Sequence, residues 1–446
     1  MSFTPHTDDD VARMLNALGL SSVDDLFSEV RAALPPGEVP ELAGVGEFEL
    51  RHQLWDIARL NGRPDQTLCF RGAGAYEHYI PAAIPQLLSR GEFSTAYTPY
   101  QAEVSQGTLQ VMYEFQTMVC ELLGMEVANA SMYDGASALA EAALMAMRIT
   151  GKHRLLVSEG LHPHWLQVVR TYAANVEADI VPVPLRDGLT SPDAIASALD
   201  DDTAAVLIQN PNVLGLIEPL REIGALLATH PALYIAAAYP ISLGLLASPG
   251  EAGADIAVAE GQPLGIPLSY GGPYLGLFAT KMEHIRQMPG RISGLAYDHA
   301  GRRGYVMTLQ AREQHIRRER ATSNICSNQM LCALAATVYL SLMGPGGFSA
   351  VAERSFAVAH QLADDLSRLR GCSLAFERPF FNEFVLKLPV PAEDIERELW
   401  NDGIVSGLPL GRWWPERRNQ MLFCATEIIT DAAIHRLVAA MEEALS

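Results

Sequence analysis

Residues 255–281 read D-I-A-V-A-E-G-Q-P-L-G-I-P-L-S-Y-G-G-P-Y-L-G-L-F-A-T-K. The segment divides into an apolar strand at 256–259, a loop at 261–273 and a second strand at 274–280. The loop holds four glycines and three prolines, which remove chain stiffness and backbone donors and so exclude a helix. A parallel return needs a crossover element, which the loop lacks. The second strand is therefore predicted to run antiparallel, at or near a sheet edge.

Strand-like and helix-like runs alternate upstream of this segment. The strands fall at 154–158, 180–184, 204–209 and 233–238, and helix-length stretches at 164–174 and 220–230 separate some of them. Such alternation is typical of an α/β fold with a large, mostly parallel sheet of about seven strands and helices on both faces. We predict that this domain spans 70–343.

A second domain is predicted after Gly344-Pro345-Gly346-Gly347. It contains helices at 351–369, 392–401 and 431–445, and strands at 373–376, 383–388, 404–406 and 421–425. This order indicates a smaller C-terminal α+β domain at 344–446. Residues 1–69 are predicted to form an N-terminal helical arm that serves packing or dimer contact. Thr7 is its first predicted N-cap, Gly19 ends that helix, and another helix starts at Ser22.

The composition favours a well-packed globular protein. Hydrophobic residues make up 49% of the 446 residues, charged residues 19%, and the mean hydropathy is +0.09. The 32 basic and 52 acidic residues give a formal charge of −20, which disfavours nucleic acid or an anionic membrane as partner. The six cysteines show neither C-x-x-C nor metal-site spacing. The sequence thus predicts a cytoplasmic protein with reduced cysteines, no signal peptide and no metal site.

Three stretches suggest a ligand pocket. Residues 70–81 are glycine-rich and aromatic, residues 95–107 are rich in hydroxyl and amide groups, and residues 132–137 form a small-residue turn before an alanine-rich helix. The start of such a helix can bind phosphate through its free backbone N–H groups. Each stretch also has an ordinary interpretation, as a connector, an internally capped loop and a turn, respectively.

The basic stretch 312–320 lies within a predicted helix at 309–342. Glu313 with Arg317, and His315 with Glu319, have the i,i+4 spacing of ion pairs on a solvated helix face. The same basic side chains could instead hold an anion or an acidic partner surface. The pattern leaves both interpretations open.

The predicted architecture matches the plan of fold-type I pyridoxal-phosphate enzymes, which need a Schiff-base lysine in a loop after a late strand. The chain has only Lys152, Lys281 and Lys387, and none falls in the loop 261–273. The strand that would supply an acid for the pyridine nitrogen ends without a carboxylate, at 235–239. The pattern indicates a retained scaffold without its cofactor anchor.

Five long motifs resemble the N-terminal half of the glycine-cleavage P-protein, glycine decarboxylase. They are T-A-Y-T-P-Y-Q-A-E-V-S-Q-G-T-L-Q (95–110), V-A-N-A-S-M-Y-D-G-A-S-A-L-A-E-A-A (127–143), G-Q-P-L-G-I-P-L-S-Y-G-G-P-Y-L-G (261–276), M-P-G-R-I (288–292) and Q-A-R-E-Q-H-I-R-R-E-R-A-T-S-N-I-C-S-N-Q (310–329). The resemblance is to the separate N-terminal subunit of split forms. It places Gln262 at the vacated lysine position and Ala236 at the vacated aspartate position.

The resemblance implies that pyridoxal phosphate lies on a partner, the C-terminal-half P-protein subunit, in a two-plus-two heterotetramer. The complex would decarboxylate glycine and pass the aminomethyl group to the lipoyl arm of H-protein. This chain would bind no cofactor covalently and would carry no catalytic residue of its own. Alternatives are a purely structural or regulatory subunit, or an autonomous pyridoxal-phosphate enzyme that uses Lys281.

Several residues are candidates for contact with the partner. The resemblance and the polar, aromatic character of 95–107 suggest that Tyr97, Thr98 and Tyr100 reach the partner's pocket. Gly271 and Gly272 are candidates for close approach to its cofactor phosphate, and Arg317, Arg318 and Arg320 for interface or H-protein contact. Cys326 is expected to be buried and inert rather than redox-active.

Overall fold

The computed structural model describes residues 5–34, 37, 43–62, 67–95, 98–325 and 328–446. The chain separates into two compact units, Met1–Arg63 and Pro64–Ser446. The first unit contains helices α1 (Asp8–Leu18), α2 (Ser28–Ala33) and α3 (Glu47–Ala58), with a 3-10 turn at Val23–Phe27. Thr7 caps α1 through a capping box with Asp10, and Gly19 ends it in the left-handed conformation, as predicted.

The second unit contains the remaining helices and all the strands of the described residues. Its helices are α4 (Ala83–Leu88), α5 (Gly91–Ser94), α6 (Gln106–Leu123), α7 (Gly135–Thr150), α8 (Pro163–Ala173), α9 (Pro192–Ala198), α10 (Leu220–Leu227), α11 (Gln314–Arg317), α12 (Met330–Ser367), α13 (Ala392–Asn401) and α14 (Asp431–Ala444). Its strands are β1 (Leu68–Cys69), β2 (Val127–Ala128), β3 (Arg154–Ser158), β4 (Asp179–Val183), β5 (Leu185–Arg186), β6 (Leu189–Thr190), β7 (Thr203–Asn210), β8 (Leu233–Ala238), β9 (Ile256–Glu260), β10 (Gly276–Thr280), β11 (Ile292–Tyr297), β12 (Arg303–Thr308), β13 (Ser373–Leu374), β14 (Glu383–Lys387), β15 (Ile404–Val405), β16 (Leu408–Pro409) and β17 (Gln420–Cys424).

A seven-stranded sheet forms the centre of this unit, in the order β2-β10-β9-β8-β7-β3-β4. Strands β9, β8, β7, β3 and β4 run parallel, whereas β10 runs antiparallel to β9 and to the edge strand β2. The prediction that the second strand of 255–281 returns antiparallel near a sheet edge is therefore confirmed.

Helices cover both faces of the sheet, because side chains alternate along each strand. On β9, Ile256 and Val258 pack in a core cluster with α7 and α8, whereas Ala257 and Ala259 pack in another with α6 and α12. The same alternation on β8 turns Ala237 toward α7. It turns Ala236 toward a third cluster, which includes residues of β7 and α10.

A separate four-stranded sheet, β13-β14-β17-β16, lies near the C-terminus. It shares a core with α13, α14 and the second half of α12. The boundary predicted at residue 344 falls within α12, where Gly344 departs from helical geometry (φ 57°, ψ −179°). The division of 70–446 into two domains remains a prediction.

The predicted helix at 309–342 is wrong in its first half. Residues 310–320 form three short turns, with Glu313 extended between them (φ −78°, ψ 154°), and α12 begins only at Met330. Arg312 donates to the carbonyls of Leu309, Met288 and Gly290. These tertiary contacts are formed in place of a helix. The predicted i,i+4 ion pairs require a continuous helix, so their geometry is absent here.

Within the described residues, α12 is the one helix long and apolar enough to cross a membrane by length and composition. Its interruption at Gly344 and its buried side chains, which belong to two core clusters, identify it as a core helix of a globular fold.

Candidate functional site

Gln262 lies in an interior site that we call the internal crevice, formed by Tyr76, Gly135, Glu260, Gln262 and Leu275. The Gln262 side chain is 2% exposed. Its Oε1 accepts from Tyr76 N (2.9 Å), and its Nε2 donates to Tyr76 O (2.9 Å) and Ile266 O (2.8 Å). Both ends of the amide are therefore occupied by backbone partners, and the amide joins the loop 70–81 to the loop after β9.

Glu260 ends β9 two residues earlier and places its carboxylate at the start of α7. Its Oε2 accepts from Gly135 N (2.9 Å), the first residue of α7, and its Oε1 accepts from Gln262 N (3.0 Å) and Leu275 N (3.1 Å). Burial raises the pKa of Glu260 to about 7, against the three N–H donors, which lower it. The helix start that the sequence suggested as a phosphate cradle thus faces a carboxylate of the same chain.

All three lysines are described by the structure, and none reaches the crevice. Lys281 follows the C-terminal end of β10, which pairs with the start of β9, whereas Glu260 stands at the opposite end of that pair. There Lys281 forms an ion pair with Asp255. Lys152 precedes β3, and Lys387 ends β14. The crevice therefore does not fit pyridoxal phosphate, since it lacks an amine and the first N–H of α7 is already bonded to the Glu260 carboxylate.

Ala236, the residue at the predicted vacated aspartate position, lies two residues before the end of β8. Its side chain is 1% exposed and packs on the sheet face opposite α7, among Leu156, Ile208 and Tyr234. The assignment of this position to a lost aspartate remains a prediction.

A buried polar network closes the crevice on the side of the loop 70–81. The Tyr76 hydroxyl donates to Glu383 Oε2 (2.8 Å), and Ala73 N donates to Glu383 Oε1 (2.6 Å). Burial raises the pKa of Glu383 to about 7. His78 bonds to Glu427 Oε2 (2.7 Å) and to the Tyr239 hydroxyl (2.5 Å). Tyr76 and His78 of the glycine-rich loop are thus packed into the interior, whereas Arg71 and Tyr79 of the same loop line two separate surface cavities.

A second polar group, the Arg291 cluster, consists of Thr98, Tyr100, Arg291, Glu313 and His315. Arg291 is 4% exposed and donates from Nη1 to Thr98 Oγ1 (3.3 Å) and from Nη2 to the Tyr100 hydroxyl (3.0 Å). Its Nε lies 3.7 Å from Glu313 Oε2, and His315 Nδ1 lies 3.5 Å from the same oxygen. The cluster unites two predicted site residues, Thr98 and Tyr100, with a buried ion pair.

The Arg291 cluster is less fully paired than the crevice. Among the residues that the structure describes, Arg291 Nε and Glu313 Oε1 are buried without a hydrogen-bond partner. Tyr100 is 52% exposed, although its ring lies 5.3 Å from the Arg291 guanidinium carbon. The buried ion pair therefore holds an aromatic side chain at the surface.

The M-P-G-R-I turn explains how Arg291 reaches this position. Gly290 has φ +75°, and a Cβ there would lie 2.9 Å from Asn129 Nδ2, so glycine is required. Asn129 Nδ2 donates to Pro289 O (3.0 Å), and Arg312 Nη2 donates to Gly290 O (3.0 Å). These bonds hold the turn on both sides, so that Arg291 points inward.

The other predicted site residues lie apart from these two groups. Tyr97 and Cys326 lie outside the described residues. Gly271 is exposed and Gly272 is half-buried, on a loop with φ +109° and +139° at the two glycines. Arg317, Arg318 and Arg320 are exposed on the turns at 314–320. Within the described part of the chain, no group of His, Cys, Asp or Glu side chains could hold a metal.

Sequence reasoning missed Glu260, Glu383 and Arg291 as site residues. Glu260 offered one signal, an acid at a strand end directly before a glycine-rich loop. Arg291 stood in a quoted motif, but no pattern linked it to Thr98 and Tyr100, which lie 193 and 191 residues away in sequence. Glu383 had no local signal.

Comparison with known proteins gives one consistent result. The family model for Glycine cleavage system P-protein matches residues 1–441. A probable glycine dehydrogenase (decarboxylating) subunit 1 from Desulforamulus reducens is 52% identical over 428 residues, covering 96% of each chain. A crystal structure of glycine decarboxylase (P-protein) in inhibitor-bound form matches with a TM-score of 0.91 and 42% identity, covering 100% of both chains.

A more distant likeness concerns the fold alone. Lactobacillus brevis glutamate decarboxylase matches with a TM-score of 0.69 at 14% identity, over 94% of this chain and 96% of that one. The predicted family and the fold-type I pyridoxal-phosphate architecture are confirmed by these similarities.

Proposed function

This chain belongs to the glycine cleavage system P-protein family, and we propose that it is the subunit of a heteromeric glycine decarboxylase that does not anchor the cofactor. The observation that carries the proposal is the filled crevice, where both ends of the Gln262 amide are bonded to backbone. The resemblance predicts the Schiff-base lysine at this position. Activity as glycine dehydrogenase (decarboxylating) then belongs to the complex and not to this chain alone.

The partner is the subunit that resembles the C-terminal half of the P-protein. It carries pyridoxal phosphate, binds glycine and removes carbon dioxide, and the aminomethyl group passes to the lipoyl arm of H-protein. We propose a two-plus-two heterotetramer in the cytoplasm. The relatives named as subunit 1 support a partner subunit, since that name implies at least one other.

The contribution of this chain to the partner's site is the Arg291 cluster. Tyr100 is half exposed, and its hydroxyl is fixed by a guanidinium that is itself buried. A buried arginine–carboxylate pair is costly to desolvate, so its presence beneath an exposed tyrosine favours a role in orienting that tyrosine. We propose that Thr98 and Tyr100 face the partner's pocket and that Arg291 positions them. Gly271 and Gly272 remain candidates for a second contact.

The test is glycine-dependent release of carbon dioxide in the presence of H-protein, measured for this chain, the partner and their mixture. Cofactor absorbance is read in each sample. We expect colour wherever the partner is present, and activity that rises steeply on mixing. Colour and turnover from this chain alone would contradict the proposal and favour an autonomous enzyme.

The second candidate, a purely structural or regulatory subunit, predicts the same mixing result. It differs at Tyr100, because a structural subunit would tolerate Tyr100→Ala with unchanged glycine kinetics in an assembled complex. The proposed contribution to the site requires a loss of turnover with assembly intact.

A further inference from the structure

Two N–H groups at the start of α7 are bonded by side chains of this chain. The Asp134 side chain caps the helix by accepting from Ser137 N (2.7 Å), and the Glu260 carboxylate accepts from Gly135 N (2.9 Å). Helix starts carry unpaired N–H groups and a partial positive charge, which is why they bind anions. Here the group that accepts from the helix start is the carboxylate of Glu260, the last residue of β9.

The space around Gly135 is filled by neighbouring side chains. A Cβ added at Gly135 would lie 2.6 Å from Trp165 Cζ2 and 3.0 Å from Glu260 Cβ. The indole of Trp165, on α8, and the Glu260 side chain therefore close over the glycine. A phosphate could reach these N–H groups only if one of the two side chains moved away.

We propose that Glu260 is a built-in anion that replaces a cofactor phosphate at the start of α7, so that this chain's crevice folds closed without a ligand. The inference rests on the proposed function, because a cofactor-bearing subunit would need this helix start for the phosphate. It goes further by assigning Glu260 a role and by predicting a latent phosphate site beneath its side chain.

Three features separate Glu260 from an ordinary buried acid. It is 8% exposed as a residue, all three of its donors are backbone N–H groups, and one of those belongs to the first residue of a 16-residue helix. The donors come from three chain segments, at 135, 262 and 275, which converge on the two oxygens. Removal of the carboxylate would leave three backbone donors pointed at one small space.

Glu218 provides the matched control. It is 4% exposed and also accepts three hydrogen bonds, from Thr190 N (2.9 Å), Thr190 Oγ1 (3.0 Å) and Asn212 Nδ2 (2.7 Å). None of these donors is the first N–H of a helix. Loss of the Glu218 carboxylate leaves Thr190 N without an acceptor, whereas Asn212 Nδ2 keeps Gly188 O and the Thr190 hydroxyl keeps Ser158 Oγ. Only the loss of Glu260 opens a helix start.

The experiment measures thermal unfolding of Glu260→Ala and Glu218→Ala at pH 8, each assembled with the partner subunit, over a titration of inorganic phosphate. Sodium chloride at matched ionic strength is the reference. We expect both variants to lose several degrees in Tm. Phosphate should restore Tm in a saturable manner for Glu260→Ala, because ligand binding to the folded state stabilises it. Glu218→Ala and the wild type should show only the chloride response.

Equal responses of the two variants to phosphate would overturn the proposal, as would the absence of any phosphate effect on Glu260→Ala. If Glu260→Ala does not fold, Glu260→Gln tests the same point. It keeps the volume but turns an amide N–H₂ toward a backbone donor, so we expect a lower Tm than that of the wild type at pH 8. An unchanged Tm for Glu260→Gln would also overturn the inference.

These outcomes are independent of catalysis. A failure of the proposed function would appear as colour or turnover from this chain alone in the mixing assay. A failure of the inference about Glu260 would appear only in the response of Tm to phosphate, with the mixing result unchanged.

Discussion

The internal crevice and the Arg291 cluster are both buried polar groups, but they differ in how completely their atoms are paired. In the crevice, the amide of Gln262 and the carboxylate of Glu260 have backbone partners at every side-chain nitrogen and oxygen. In the Arg291 cluster, Arg291 Nε and Glu313 Oε1 have no hydrogen-bond partner among the described residues, and Tyr100 is half exposed.

This difference in pairing bears on the separate roles that we propose for the two regions. Buried polar groups are expensive unless paired, so the fully paired amide and carboxylate of the crevice stabilise the fold. In the Arg291 cluster the two unpaired atoms are themselves buried, and Tyr100 reaches the surface. We therefore expect substitutions in the crevice to change stability, and substitutions in the cluster to change the activity of the complex.

The largest effect is expected from Gln262→Lys, which puts a lysine where the resemblance predicts the Schiff-base lysine. An ammonium group cannot accept from Tyr76 N, and burial disfavours its charge, so the variant should lose roughly 3–5 kcal/mol of unfolding free energy. Denaturant unfolding measures this loss, and added pyridoxal phosphate should leave the protein colourless because Glu260 still fills the helix start.

Gln167→Lys serves as the control, since Gln167 is exposed on α8 and should tolerate the change. A coloured and fully stable Gln262→Lys variant would show that the crevice can still accept the cofactor. The contrast between the two regions would then fail.

A smaller effect is expected on the pH dependence of stability, from Glu383 in the buried polar network beside the crevice. Burial raises the pKa of Glu383 to about 7, above its usual value of 4.5. The stabilisation from its protonated form is therefore full below pH 4.5 and is lost as pH rises through 7. Between pH 5 and pH 8 this loss amounts to about 2–3 kcal/mol.

Glu383→Gln should flatten the dependence of the unfolding free energy on pH between pH 5 and pH 8, because a neutral amide does not titrate. Glu260 titrates in the same range and is retained in both proteins, so the difference between wild type and variant isolates Glu383. Parallel profiles over pH 5–8 would contradict the assignment.

The smallest effect is expected at the surface, from Tyr100→Phe. The change removes one hydrogen bond to the Arg291 guanidinium and leaves the ring in place. Turnover of the assembled complex should fall by about tenfold, equivalent to ~1.4 kcal/mol, with little change in Tm. Steady-state release of carbon dioxide, with glycine varied, measures it.

Tyr297→Phe is the matched control, because Tyr297 is 67% exposed at the end of β11, the strand that begins next to Arg291. If Tyr100→Phe lowered Tm but not turnover, the cluster would resemble the crevice, and its role in a shared site would be refuted.

Local patterns were sufficient for much of the fold. Short apolar runs and helix-length stretches differ in the spacing of their apolar residues, which identified strands and helices. Their alternation along the chain predicted the mostly parallel sheet. The glycines and prolines of 261–273 predicted the irregular loop and the antiparallel return of β10. The missing lysine, together with the long motifs, predicted the family and the absence of a cofactor anchor in this chain.

The contacts that fill the crevice were decided by tertiary structure. Glu260 and Gly135 lie 125 residues apart, and Gln262 and Tyr76 lie 186 apart, so no window of sequence pairs them. The charge pattern around Arg312 and Glu313 fits a helix. The structure instead bonds Arg312 to the carbonyls of Met288 and Gly290, and pairs Glu313 with Arg291. Sequence by itself determined that no lysine stands in the loop 261–273, because that depends on residue identity. Only the folded chain decided what took its place, because long-range hydrogen bonds form where the topology brings donors and acceptors together.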